Sequence, residues 1–294
     1  MSEETLGAIA REACTAAGLT DLDVVPIKVS ENAIYRLPQS RLVVRIAKPG
    51  QRAAAERELL IADWLRRADV PAVEPADILA TFVMVRDRPV TFWKELPPHR
   101  GGSATEIATA LRRLHALHPP RFLSSIDPFV RLEQRIDAAI ILPAEDRQWL
   151  HQHLDDLRNA WSHRIAGRQW GPIHGDAWEG NVVTADDGTT LFLDLERTSI
   201  GPPEWDLTST AIKHSSFGWI DAQQYTEFVA AYGYDVTNWS GFALLRDIRE
   251  MRMTCMAAQA AARESSRLAQ AQLRVDSLRG RRGQRPWDGW EAIP

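Results

Sequence analysis

One stretch of the chain places acidic and amide side chains at a spacing that suits phosphoryl transfer to a hydroxyl. It reads Ile173-His174-Gly175-Asp176-Ala-Trp-Glu-Gly-Asn181 and is followed by Leu191-Phe192-Leu193-Asp194-Leu195-Glu196. In such a transfer, a carboxylate on a tight loop can align the hydroxyl and accept its proton. The phosphate charge must be offset by a hard cation, which takes carboxylate and amide oxygens as ligands. An Asp, an Asn five residues later and a second Asp across a short hairpin supply these groups.

The order of these residues resembles a known family of kinases. Protein kinases have the same spacing, and His174-Gly175-Asp176 stands where their catalytic loop has His-Arg-Asp. The form H-G-D-x-x-x-x-N, followed by a hydrophobic residue and D-x-E, is similar to the signature of the aminoglycoside phosphotransferase and choline kinase family. This resemblance implies an ATP-dependent kinase in which Asp176 is the catalytic base and Asn181 and Asp194 bind Mg²⁺.

The resemblance extends over roughly residues 20 to 280 through the order and spacing of elements, while its specific motifs lie in 173–206. The alternative is a polar β-turn beside an ordinary hairpin, which requires all of these spaced residues to coincide by chance. Family members also carry an Asp after a G-x-x-x-x run, and Asp206 follows Gly201 in this way. Asp206 is expected to anchor the catalytic loop or to begin a helix, and His174 to orient the loop through hydrogen bonds.

A kinase of this kind needs a cation on its third strand for the phosphates of the nucleotide. The expected lysine is absent, and Val43-Val44-Arg45-Ile46 places Arg45 there. Arginine can bridge phosphate oxygens in a bidentate manner, although Arg45 can also be read as a surface strand residue. Lys48 falls on the opposite strand face and is the weaker candidate.

The helix after this strand must supply a carboxylate to hold the cation, and it offers Glu56 and Glu58. Glu58 shares a face with the apolar Ile61 and Leu65, where a buried carboxylate needs a cationic partner. We therefore predict that Glu58 pairs with the strand cation, whereas Glu56 is solvated.

Two further segments are predicted to contact the nucleotide. The first turn has no glycine, unlike the Gly-rich loop of protein kinases, and Ser30 is expected to cover the phosphates in its place. The segment Phe92-Trp93-Lys94-Glu95-Leu96 sits where a hinge is expected, so the backbone of Glu95 and Leu96 should face adenine. A simple edge-strand end is the alternative for this segment.

Side chains around the motif are candidates for binding the acceptor. Trp178 and Glu179 lie within the loop, and Glu204 and Trp205 lie just before Asp206. An aromatic face beside carboxylates suits a sugar or an amine-bearing hydroxyl compound. Packing beneath the loop is the alternative for Trp178 and Trp205.

The pattern of the whole chain predicts a β-rich first third and a helical remainder. Chain breakers at Leu96–Gly102 indicate a boundary, and Ser103–Glu106 forms a capping box that begins a helix. We therefore predict an α+β, bilobal, protein-kinase-like fold with a small β-rich N-lobe and a larger, mainly helical C-lobe, with a cleft between them. The N-lobe, 1–97, is expected to bind the nucleotide, and the C-lobe, 98–294, to carry catalysis and acceptor binding.

The local pattern of apolar and polar residues predicts the individual helices and strands. The predicted helices cover residues 4–17 and 51–67, with others opening at Pro143 and lying between Trp205 and Leu278. The predicted strands are Val24–Val29, Ala33–Leu37, Leu42–Ala47, Ile78–Arg86, Val90–Lys94, Asn181–Thr184 and Thr190–Asp194. Trp287 and Trp290, in the polar tail, are expected either to close the cleft or to dock on the helical lobe.

Composition narrows the classes of partner. The net charge of −4 and pI of about 6.1 do not favour a nucleic-acid partner. No apolar stretch is long enough for a membrane span, and the N-terminus lacks the pattern of a signal peptide. Two distant cysteines, Cys14 and Cys255, allow one disulfide but fit a reduced chain better, so a cytoplasmic location is expected.

The expected activity is an ATP- and Mg²⁺-dependent transfer of the γ-phosphoryl group to a hydroxyl of a small molecule. Aminoglycoside-like antibiotics, amino sugars, related metabolites and choline-like alcohols are the acceptor classes that the resemblance allows. A catalytically silent nucleotide-binding regulatory module is the alternative, because the strand lysine and the Gly-rich loop are missing. A protein kinase fits less well, since the segment from Asp194 to Gly201 is too short for an activation loop.

Overall fold

A computed structural model describes residues 3–20, 22–29, 32–164 and 169–292. The helices are α1 Glu3–Ala16, α2 Arg52–Arg67, α3 Ala104–His115, α4 Leu132–Ala138, α5 Ala144–Arg164, α6 Glu204–Ser215, α7 Ala222–Tyr232, α8 Phe242–Arg263 and α9 Leu268–Leu278. The strands are β1 Val25–Val29, β2 Ala33–Leu37, β3 Leu42–Ile46, β4 Phe82–Val85, β5 Arg88–Lys94, β6 His99–Gly101, β7 Gly171–Ile173, β8 Val182–Ala185, β9 Thr190–Phe192 and β10 Ser199–Gly201. Short 3₁₀ turns lie at Leu195–Arg197, Val236–Asn238 and Ser265–Arg267.

The chain divides into two compact units. The first contains Met1–Phe122 and Ala177–Thr198, and the second contains Leu123–Asp176 and Ser199–Pro294. A β-rich unit and a mainly helical unit give the α+β class that the sequence predicts. The assignment of nucleotide binding to 1–97 and of catalysis to 98–294 stays a prediction.

In the first unit, an antiparallel sheet has the strand order β1-β2-β3-β5-β4. Along β3, Leu42, Val44 and Ile46 are buried and alternate with Val43 and Arg45 on the other face. The buried face packs with apolar residues of α1 in one core. Because strand side chains alternate between faces, this packing leaves Arg45 on the face away from that core, as its spacing predicts.

Most predicted strands have ends within two residues of the observed ones, but one begins four residues late. The predicted strand Ile78–Arg86 begins only at Phe82 and ends at Val85, after which Arg86 and Asp87 turn the chain with positive φ. These two residues adopt the left-handed conformation that reverses the chain into β5. The pairing of Phe82 with Thr91 therefore begins four residues later than predicted.

The first unit also contains a sheet with the order β6-β8-β9. The segment Leu96–Gly102, which the sequence marks as a boundary, contains β6, and its Gly102 N–H donates to the Val182 carbonyl at 2.8 Å. A Cβ at Gly102 would lie 2.9 Å from that carbonyl oxygen, so only glycine allows this close approach. The Pro- and Gly-rich segment thus contacts the β8–β9 hairpin, in addition to marking the change from a β-rich to a helical sequence pattern.

Helix α3 begins with the predicted capping box. Ser103 Oγ accepts from the Glu106 amide at 3.3 Å, and Glu106 accepts from the Ser103 amide at 2.7 Å. Arg100, on β6, adds two hydrogen bonds to the Glu106 carboxylate at 2.7 and 2.8 Å. One side chain therefore joins the start of α3 to the strand beside it.

The second unit is built on a helical core to which α4, α5, α6, α8 and α9 contribute buried apolar residues. The tail docks on this unit, because the rings of Phe217 and Trp290 stack at 5.1 Å and Trp287 and Trp290 are 7% and 4% exposed. Among the described residues, no helix is both long and apolar enough to cross a membrane.

Candidate active site

The segment before Asp176 is held by a buried carboxylate in the second unit. Strand β7 pairs with β10 and leads into His174 and Gly175, whose φ of +85° brings the chain into a tight turn. Asp206, which is fully buried, accepts hydrogen bonds from the amides of His174 at 2.7 Å and Gly175 at 2.8 Å. The predicted anchoring by Asp206 therefore rests on two charge-assisted hydrogen bonds.

The residues next to Asp176 complete this support. The Asp176 amide donates to Nδ1 of His174 at 3.3 Å, so the buried imidazole accepts a hydrogen bond from the loop, in agreement with its predicted orienting role. Trp205 Nε1 donates to the Gly175 carbonyl at 3.0 Å. The side chain of Asp176 is itself only partly buried, which leaves it accessible to a reactant.

The two predicted metal ligands belong to adjoining backbone segments of the first unit. The Leu193 amide donates to the Asn181 carbonyl at 2.8 Å, which places Asn181 beside the residue that precedes Asp194. Asp194 has a left-handed backbone with φ of 47°, and its side chain is 49% exposed. A carboxylate and an amide oxygen at adjoining strand ends suit a hard cation such as Mg²⁺, which keeps several other ligands as water or phosphate oxygens.

Across the described part of the chain, no group of three or more His, Cys, Asp or Glu side chains is placed to hold a metal. The pair of Asn181 and Asp194 falls outside such a group because it contains a single carboxylate. It therefore fits a cation that is bound together with a phosphorylated ligand better than a permanently caged ion.

Arg45 is the centre of an ionic cluster in the first unit. Its Nη1 donates to the Glu58 carboxylate, and its Nη2 donates to Glu196 Oε2 at 3.0 Å. The same Nη2 lies 3.6 Å from Asp194 Oδ1. The ion pair that the sequence predicts between the strand cation and the helix carboxylate is thus present, and it extends to the D-x-E segment.

The charges of this cluster act on one another. Burial works to lower the pKa of Arg45, but the carboxylates of Glu58, Asp194 and Glu196 together raise it. Burial raises the pKa of Glu58 to about 7, with Arg45 opposing that shift and Asp194 and Glu196 adding to it. Three acidic side chains share one guanidinium, so a further cation bound beside them would favour their ionised forms.

Arg57 fixes the other side of the D-x-E segment. Its Nη2 donates to the main-chain carbonyl of Glu196 at 2.6 Å. Arg45 therefore holds the side chain of Glu196 while Arg57 holds its backbone, and both restrain the turn that follows Asp194. The D-x-E pattern contained the signal for Glu196, but no local pattern indicated Arg57.

Lys48 and Glu56, the other candidates for the strand cation and the helix carboxylate, lie outside this cluster. Lys48 is exposed, and Glu56 pairs with Arg52 one turn away on α2 at 2.8 Å with 46% of its side chain exposed. An exposed pair of this type contributes little to stability. The geometry therefore agrees with the choice of Arg45 and Glu58 over these neighbours.

The segment predicted to face adenine is tied down at one of its two residues. The Glu95 amide donates to the Arg41 carbonyl at 2.9 Å, and the Glu95 carboxylate pairs with Arg36 at 2.5 Å. Leu96 is partly buried and precedes Pro97. Of the two backbone polar groups of Glu95, the amide is therefore already bonded within the protein, and the carbonyl is the group left for the predicted contact with adenine. Ser30 lies outside the described residues.

The four candidates for acceptor binding separate into exposed and buried pairs. Trp178 is 43% exposed, and its ring lies over Gly180, where a Cβ would meet the indole at 2.4 Å. Glu179 is also exposed. By contrast, Glu204 is 4% and Trp205 is 1% exposed within the second unit, which favours the packing alternative for Trp205.

Comparisons with known proteins indicate the family to which this sequence belongs. A sequence model of the phosphotransferase enzyme family (APH) matches residues 23–245. No curated protein matches the sequence at a significant level.

Solved structures share the fold. Amicoumacin kinase, solved with AMP-PNP, Ca²⁺ and Ami, is 13% identical with a TM-score of 0.71, and 98% of each chain is covered. A choline/ethanolamine kinase family protein from Mesorhizobium loti is 16% identical with a TM-score of 0.67, over 98% of this chain and 97% of the other. An aminoglycoside phosphotransferase from Streptomyces rimosus is 22% identical with a TM-score of 0.64, over 84% and 98%. These likenesses confirm the predicted kinase-like α+β fold.

The family match covers well over half of the chain and includes the H-G-D segment, the D-x-E segment and Asp206. The resemblance inferred from those motifs is therefore confirmed, and the chain belongs to the phosphotransferase enzyme family.

Proposed function

We propose that this protein is an ATP- and Mg²⁺-dependent kinase that transfers the γ-phosphoryl group to a hydroxyl of a small molecule. The observation that carries the proposal is the joining of Arg45 to Glu58 and Asp194 in one cluster. Kinases place a strand cation, a helix carboxylate and a metal-binding Asp together because the three must align the phosphates. An arginine can take the place of the lysine, since its fork matches phosphate oxygens.

In the proposed reaction, Asp176 accepts the proton of the acceptor hydroxyl as its oxygen attacks the γ-phosphorus, and ADP leaves. The hydrogen bonds to Asp206 fix the backbone that presents the Asp176 carboxylate, so little reorganisation is needed at the moment of reaction. Asn181 and Asp194 are the residues that would hold Mg²⁺, whose positive charge would offset the negative charge of the phosphates. Arg45 adds a fixed positive charge, and Leu96 and Glu95 are proposed to contact adenine.

The proposed acceptor is a small hydroxylated compound that carries an amine, such as an aminoglycoside-like antibiotic, an amino sugar or a related metabolite. Its supports in this chain are the exposed ring of Trp178 and the exposed carboxylate of Glu179. An ammonium group is attracted by an aromatic face and by a carboxylate. Similar folds include an aminoglycoside phosphotransferase solved with streptomycin and another phosphotransferase solved with spectinomycin.

The test is a panel of aminoglycosides, amino sugars and amino alcohols incubated with ATP and Mg²⁺, with formation of phosphorylated acceptor measured directly. We expect at least one compound to be phosphorylated by the wild-type protein. Asp176→Asn should lower kcat by at least roughly a hundredfold, because general-base catalysis contributes about 10²–10⁴-fold. Asp186→Asn, the same change on an exposed hairpin turn, is the matched control and should retain activity. Full activity in Asp176→Asn would refute the base assignment.

One observation favours a second candidate, a catalytically silent nucleotide-binding module. Arg45 already donates to Glu58 and Glu196 through its two terminal nitrogens, which leaves fewer of its five N–H groups for phosphates. This candidate predicts that calorimetry detects ATP binding while no acceptor raises turnover. Acceptor-dependent turnover would exclude it.

A further inference from the structure

The peptide groups just before Asp176 are held by two consecutive residues of α6. Asp206 binds the amides of His174 and Gly175, and Trp205 Nε1 binds the Gly175 carbonyl. Gly175 has the left-handed φ of +85°, so its backbone has few alternatives once both its amide and its carbonyl are bonded. The conformation that leads into Asp176 therefore depends on the position of the first turn of α6.

Arg249, on α8, holds that first turn. Its Nε and Nη2 donate to the Trp205 carbonyl at 3.1 and 2.6 Å. Its guanidinium also lies over the Trp205 ring, 4.3 Å from the ring centre. Both residues are buried, at 7% and 1% exposure, and both kinds of contact strengthen when water is excluded.

We propose that Arg249 is a positioning residue for Asp176, acting through Trp205 and Gly175. One guanidinium holds both the carbonyl and the ring of Trp205, and the indole N–H of the same residue holds the loop. Only a planar fork can donate twice to one carbonyl while it stacks on the ring, so lysine is not equivalent at this site. The catalytic part of this proposal rests on the proposed function, whereas the structural link to Gly175 does not.

The test compares Arg249→Lys with the wild type by amide hydrogen exchange of a peptide that covers residues 171–178. Lysine keeps the charge but cannot reproduce the two hydrogen bonds and the stacking. We expect roughly tenfold faster exchange of the His174 and Gly175 amides, the size expected when a charge-assisted hydrogen bond is lost. Exchange in the peptides of α5 and α9 should stay at its wild-type rate, which a general loss of stability would not allow.

Arg252→Lys is the matched control. Arg252 lies on the same helix and approaches the same ring at 5.9 Å, but its Nη1 donates to the Pro128 carbonyl instead. It should leave exchange in 171–178 at the wild-type rate. Unchanged exchange in Arg249→Lys, or equal acceleration in both variants, would overturn the proposal.

A second variant keeps the test decisive if Arg249→Lys does not fold. Trp205→Phe retains a ring for Arg249 but lacks the Nε1–H that binds Gly175, so it should accelerate the same amides. Wild-type exchange in Trp205→Phe would equally contradict the proposal.

Kinetics separate this inference from the proposed function. With an acceptor from the panel, Arg249→Lys should lower kcat about tenfold while KM for ATP stays unchanged. An unchanged kcat would remove the catalytic role of Arg249. If the wild-type protein phosphorylates no acceptor, the proposed function fails, and the exchange data alone decide whether Arg249 holds the loop.

Discussion

Arg45 and Glu196 are 151 residues apart in the sequence and are joined by a 3.0 Å hydrogen bond from Arg45 Nη2 to Glu196 Oε2. This bond connects the third strand of the main sheet with the segment that carries the predicted metal ligand Asp194. Together with the bond to Glu58, it gives one guanidinium three acidic neighbours.

Replacing Arg45 by Met should raise KM for ATP by roughly ten- to a hundredfold, the effect of losing a hydrogen bond to a charged group. The variant should also be less stable by about 1–3 kcal/mol, because the buried Glu58 carboxyl loses the donor of its hydrogen bonds. Initial rates at varied ATP and denaturant unfolding measure the two effects. Arg52→Met, which breaks only the exposed pair with Glu56, should change neither. A normal KM in Arg45→Met would contradict phosphate binding by Arg45.

Replacing Asp194 by Asn should raise the Mg²⁺ concentration needed for half-maximal activity by roughly tenfold or more. Of the two predicted ligands, Asp194 is the one with a carboxylate, and the substitution removes its charge. A Mg²⁺ titration at saturating ATP measures this requirement. Asp186→Asn removes an exposed carboxylate from the same hairpin and should leave the titration unchanged. The same Mg²⁺ requirement in Asp194→Asn and wild type would refute the ligand assignment.

Replacing Gly180 by Ala should raise KM for the acceptor and leave KM for ATP unchanged. A Cβ at this position would lie 2.4 Å from the Trp178 ring, so the indole must move. A double-mutant cycle checks the cause, because Gly180→Ala should have no further effect once Trp178→Ala has removed the ring. Additive effects of the two substitutions would show that Gly180 acts independently of Trp178.

Replacing Glu106 by Gln should lower the melting temperature in a pH-dependent way. The hydrogen bonds from Arg100, followed by those from Ser103, lower the pKa of Glu106 from 4.5 to about 2. A lowered folded-state pKa means that the carboxylate stabilises the protein above about pH 4.5 and that this contribution is lost as the pH falls towards 2.

The measurement is the difference in melting temperature between wild type and Glu106→Gln from pH 7 to pH 3. The difference should be constant above about pH 5 and shrink below it. Glutamine can still complete the capping box, so the variant isolates the charge and its bonds to Arg100. A difference that does not vary with pH would exclude this origin.

The sequence predicts well those features that depend on short spacings. The interval from Asp176 to Asn181, the hairpin that ends at Asp194 and the capping box at Ser103 are all local, and the strand alternation that directs Arg45 is local as well. Glu58 could be identified because a carboxylate within an apolar helical stripe requires a partner.

Features that depend on distant segments were not predictable in the same way. The pairing of β6 with β8 brings residues 177–198 into the first unit, although the breakers before β6 read as a boundary. The contacts of Arg57 with Glu196 and of Arg249 with Trp205 join segments 139 and 44 residues apart. No periodicity in either segment indicates its partner, because the choice is made by packing in three dimensions.

The hydrogen bond between Asn181 and Leu193 has a consequence for the order of folding. It closes a loop of only 12 residues, from 181 to 193, whereas the bond between Arg45 and Glu196 closes one of 151. Loop-closure entropy grows with length, and short-range contacts form first. The two predicted metal ligands should therefore come together early, within the hairpin, and Arg45 should reach them only when the β-rich unit condenses.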